Sequence, residues 1–136
     1  MNLVETVRSA PLPIRAALLL CIAVAVVDIG SLLVASEFHA KLTPILGWSF
    51  GSMFLFAAIG VGVAAGGRPQ GRLMVWCIFG IHAASLTWRA LTAGPSTGNP
   101  YLDVSPLWPW AAFGLPAVVL LLMHLPASNA HLRRSV

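Results

Sequence analysis

The chain has 136 residues, of which 58% are hydrophobic and only 9% charged, and its formal net charge is +4. A soluble domain carries about 25% charged residues, so this inventory is too small for a water-facing surface. It assigns the chain to the membrane class as a single all-α domain, residues 1–136. Basic residues occur singly or in pairs with no interleaved aromatic platform, which excludes a nucleic-acid interface.

At the N-terminus, Leu3, Val4, Val7 and Ala10 recur at helical spacing, with Glu5 and Arg8 elsewhere on the turn. The segment reads either as a short helix on the inner headgroups or as a frayed tail. Next comes an apolar stretch expected to span over 14–36, opened by Pro13. It is too long for a signal-peptide core and no small-residue cleavage site closes it, so it is expected to stay as an anchor.

A second span is expected over 44–66, with Thr43 as N-cap and Pro44 at the first helical position, where a missing N–H costs nothing. A third is expected over 72–93, closed by Gly94 and Pro95. A fourth is expected over 106–125, capped by Ser105 and stopped by Pro126. Each has the roughly 20 apolar residues that a bilayer crossing needs. Pro116, inside the fourth, removes a backbone hydrogen bond and is expected to kink it. The connection 94–105 is rich in Pro, Gly, Ser and Thr and reads as irregular.

Arg8, Arg15, Arg68, Arg72, Arg133 and Arg134 fall on one side of these spans, and only Lys41 on the other. The positive-inside rule therefore puts both termini in the cytoplasm. Trp48, Trp88, Trp108 and Trp110 fall near the outer boundary and Trp76 near the inner one, where indole rings favour the headgroup layer. Basic positions are almost all arginine, beside abundant Ala, Gly and Val. That composition points to a bacterial source and hence to the inner membrane.

Two features carry the functional expectations. Gly47, Gly51, Ala58, Gly62 and Gly66 are spaced to form a small-residue face that admits close helix approach, either within the chain's own bundle or against a partner. The second is polar. Charged residues at bilayer depth are costly and tend to face a protein interior or a polar path. His82, Ser85 and Arg89 share one face of the third span, and Asp28 lies on a stripe of the first with Cys21, Ala25, Leu32 and Ala35. Counted from the outer ends at 1.5 Å per residue, Arg89 lies roughly 6 Å deep, Asp28 roughly 12 Å and His82 roughly 17 Å. One reading is a buried Asp28–Arg89 pair that fixes helix register. The other is a protonatable or solute-binding path through Asp28, His82 and Ser85.

No cofactor or metal is expected. His82, His124, His39 and His131 do not match in depth as paired haem ligands need. Glu37 and His39 are too few for a metal site. Cys21 and Cys77 read as packing residues inside apolar stretches. Phosphate loops, nucleophile elbows and HExxH patterns are missing from the sequence, which disfavours catalysis by this chain alone. Three functions are expected, in this order. The first is an accessory or assembly subunit of a larger membrane complex, partnered by lipid and by a membrane protein or a second copy. The second is a small-solute or proton-coupled transporter. The third is a redox or lipid-modifying enzyme subunit.

Overall fold

A computed structural model describes residues 3–36, 50–92 and 108–133. Among these the chain is all-helical, with no strand. The helices are α1 (Leu3–Ser9), α2 (Leu12–Ser36), α3 (Phe50–Ala65), α4 (Gln70–Thr92), α5 (Trp108–His124) and α6 (Pro126–Arg133). The candidate starts Thr43, Pro44 and Ser105, the stops Gly94 and Pro95, and the loop residues Glu37, His39, Lys41 and Trp48 lie outside the described residues.

Local chemistry accounts for the boundaries. Pro11 accepts from the N–H groups of Ile14 (3.0 Å) and Arg15 (3.1 Å), opening α2 where Pro13 is harmless in the first turn. At the end of α3, Gly67 adopts φ 80°. Its N–H bonds to the Ala64 carbonyl at 2.9 Å, and the Arg68 N–H to Val63 at 3.4 Å. This paired closure is the Schellman motif, and its left-handed position suits glycine. The chain then reverses through Pro69 into α4, so α3 and α4 form a tight antiparallel hairpin.

α3 is the central element, packed most extensively against α2 and α4, while α5 closes the ring by touching both α2 and α4. Among the described residues, the largest fully buried apolar side chains of the bundle are Phe54, Ile14, Met123, Val61, Val75, Val119 and Cys21. The closest backbone crossing joins α3 to α4. A Cβ on Gly71 would strike the Gly60 carbonyl and the Ala64 backbone, and one on Gly60 would lie 2.9 Å from Val75 and 3.0 Å from the Gly71 carbonyl. The small-xxx-small pair at this crossing is thus Gly60 and Ala64. Of the expected face, Gly51 packs on α2, Ala58 is buried, a Cβ on Gly66 would lie 3.8 Å from Thr6 of α1, one on Gly62 would meet open space, and Gly47 is outside the described residues.

α5 runs through Pro116 as one helix, and the sharp bend, 57°, falls instead between α5 and α6. Proline chemistry places it there. Pro126 has no N–H for the Leu122 carbonyl four residues back. The hydroxyl of Ser128 takes over, donating to that carbonyl at 2.8 Å from a fully buried position. Asn129 Nδ2 similarly donates to the His124 carbonyl at 2.8 Å.

Among the described residues one helix is long and apolar enough to cross a membrane, over Leu12–Gly30 with a mean hydropathy of 2.3. α5 and α6 taken together pass the same test of length and composition, and α3 is apolar but shorter, at 16 residues.

Candidate functional site

The polar residues gather at the two ends of α3. At its start, Asp28 reaches across from α2, and its Oδ2 accepts from the Gly51 N–H at 2.8 Å. First-turn N–H groups have no intrahelical acceptor, and the dipole favours an anion there. Asp28 therefore serves as an N-cap supplied by a neighbouring helix. Glycine at 51 is what permits the approach: a Cβ there would lie 2.9 Å from Asp28 Oδ2, 3.0 Å from its Cβ and 3.1 Å from the Ala25 carbonyl. Cys21 and Ala25 are buried on the same stripe of α2.

His82 approaches the same helix end from α4. Its ring packs against Phe50 with centroids 5.8 Å apart, and Phe50 continues a ring stack to Phe54 (4.8 Å) and on to Phe79 (5.4 Å). The structure thus brings Asp28 and His82 to successive residues of α3. Ser85 lies one turn further along α4 and is half-buried. Arg89 is in α4, but its side chain lies outside the described residues, as does any pairing with Asp28.

At the other end of α3, His131 of α6 donates from Nε2 to the Ala65 carbonyl at 2.9 Å. A histidine N–H at a helix C-terminus complements the dipole. At each end of α3 one backbone group is therefore paired with a side chain from another helix.

The same end of the bundle collects α1, the α3–α4 turn and α6, and with them Arg8, Arg15, Arg68, Arg72 and Arg133. Arg72 Nη1 donates to Asn129 Oδ1 at 2.6 Å. One turn along α4, Trp76 Nε1 donates to His124 Nε2 at 3.4 Å, the two rings standing edge to face at 5.7 Å. His124 Nδ1 lies 2.8 Å from the Leu120 carbonyl. Nδ1 donating while Nε2 accepts is the neutral tautomer with its proton on Nδ1. Arg15 Nε is buried without a hydrogen-bond partner among the described residues. Beside this network an open cleft of about 350 Å³ is lined by Pro69, Arg72, Asn129, Leu132 and Arg133.

The sequence does not mark Asn129 or Ser128, and it offers His131 only as an unmatched haem ligand, because α6 has no apolar run. Their signal was Pro126 followed by Ser128 and Leu132, four apart, both buried on one face. Among the described residues no group of three His, Cys, Asp or Glu side chains could hold a metal ion, and Cys21 and Cys77 are both free. No family model, curated protein or solved structure matches this chain.

Proposed function

We propose that this chain is a multi-pass protein of a bacterial inner membrane, crossing it four times with both termini inside. In this reading it acts as a non-catalytic accessory or assembly subunit of a larger membrane complex. The observation that carries the reading is the outer surface of the bundle. Leu12, Leu19, Val27, Ile81, Leu91 and Leu121 leave between 65% and 78% of their surface uncovered, and they lie on α2, α4 and α5. Phe56 and Ile59 do the same on α3, at 57% and 54%. Contiguous apolar exposure on this scale marks a surface that lipid or another protein covers. The interior, by contrast, is filled by close-packed apolar side chains, and Asp28 is engaged in capping α3.

A stoichiometric pull-down tests this. Tagged protein is recovered from its native membrane in mild detergent, and co-purifying chains are quantified by mass spectrometry. A larger membrane partner at a fixed ratio supports the accessory role, and recovery alone or as a self-oligomer refutes it. The convergence of Asp28 and His82 on the start of α3 favours one second reading, a proton-coupled transporter. That reading requires transport in proteoliposomes to vanish in Asp28→Asn.

A further inference from the structure

The cleft at the arginine-rich end is a built feature. Arg72 projects from the first turns of α4 and is tethered through Asn129, which itself bonds the last carbonyl of α5. One of the five guanidinium N–H donors of Arg72 is thus spent on Asn129, and this bond fixes the plane of the rest. Arg133 comes from the last turn of α6, brought round by the 57° bend and by the His131 bond to Ala65. Among the described residues no carboxylate lines the cleft, and Glu5 and Asp28 are the only acidic ones. Two arginines, an amide side chain and the apolar residues Pro69 and Leu132 around about 350 Å³ of space suit a tetrahedral oxyanion with an apolar substituent. Planar guanidinium groups bind phosphate through paired N–H donors.

We propose that this cleft is a phosphate-binding site, with Arg72 and Arg133 as the ligands of one phosphate group and Asn129 as the residue that positions Arg72. The phosphate belongs either to an anionic phospholipid headgroup at the inner face, with acyl chains passing along the exposed apolar side of α5, or to a soluble phosphate compound. Only the lipid source rests on the membrane reading given above.

Native mass spectrometry of the full chain tests the site with two probes. These are phosphatidylglycerol against phosphatidylcholine in detergent micelles, and inorganic phosphate alone. Wild-type protein is expected to retain one phosphatidylglycerol in preference to phosphatidylcholine. Arg72→Gln/Arg133→Gln is expected to weaken retention by about tenfold or more. Arg133→Gln alone leaves the Arg72–Asn129 bond intact, so it reports on the site without disturbing that packing. Arg68→Gln, at the same end but outside the cleft, is expected to stay within about twofold. Saturable binding of inorganic phosphate with the same variant pattern supports the site and assigns it to a soluble ligand. Equal losses in Arg68→Gln and Arg133→Gln overturn the proposal in favour of a diffuse basic collar, and so does failure to retain either probe. Whether the protein resists alkaline carbonate extraction is scored separately, so that failure of the membrane reading is distinguishable from failure of the cleft.

Discussion

Asp28 is the residue whose chemistry the sequence made most conspicuous, and its observed partner is a backbone N–H on α3. The two possible roles separate by substitution. Asparagine is about as good an N-cap as aspartate, whereas alanine in a capping position costs about 0.5–2 kcal/mol. If capping dominates, Asp28→Asn is expected to unfold close to wild type in a detergent thermal melt, and Asp28→Ala well below it. Equal losses in both variants, relieved by adding Arg89→Leu, would instead show that the carboxylate's main role is to balance the Arg89 charge. The polarity of Asp28 and its place within an apolar helix were legible in the sequence, but its partner was not. A backbone donor carries no side-chain label, and only glycine at 51 hinted that something comes close. Ser128 shows the same blindness. Its hydroxyl stands in for the N–H that Pro126 lacks. Ser128→Ala is expected to cost about 1 kcal/mol by leaving the part-buried Leu122 carbonyl unpaired. A calorimetric or fluorescence melt checks the value.

The long helices were readable because Pro and Gly punctuate them. α2 occupies Leu12–Ser36 where 14–36 was expected, and α4 occupies Gln70–Thr92 where 72–93 was expected. α6 was not readable, since Pro126 served equally well as a stop for α5 and as a first residue for a new helix. Helix pairing was also hidden. Spacing along α3 shows which residues share a face but not which neighbour that face meets, so Gly60 and Gly71 emerged only from the packed structure. The two kinds of glycine predict opposite outcomes. Gly71→Ala drives a methyl into backbone atoms of α3 and is expected to destabilise by about 1–3 kcal/mol. Gly62→Ala adds a methyl to open space and is expected to be neutral, or stabilising by up to about 1 kcal/mol, through helix propensity. Paired thermal melts of the two variants check both signs. At the α6 end, His131→Ala removes the bond to the Ala65 carbonyl, and amide exchange is expected to rise first in α6 and the α3–α4 turn.

At the scale of the whole molecule, three observations come together: an apolar outer surface, an apolar packed interior, and arginines collected at the end that holds α1, the α3–α4 turn and α6. α2 is 25 residues long, about 37 Å at 1.5 Å per residue, which exceeds a hydrocarbon core of about 30 Å. α3 is described over 16 residues, and in the membrane setting proposed above unsatisfied backbone groups at its ends would be costly. Caps from Asp28 and His131 at those two ends fit that environment. The topology we propose is four crossings with the arginine-rich end inside. Single-cysteine labelling tests it most directly. In a Cys21→Ala/Cys77→Ala background, Lys41→Cys, Gln70→Cys, Ser96→Cys and Ser135→Cys are each exposed to a membrane-impermeant maleimide before and after permeabilisation. The account predicts labelling at 41 and 96 in intact cells, and at 70 and 135 only once the membrane is opened. Labelling at 70 or 135 in intact cells, or protection of 41 and 96, would contradict it.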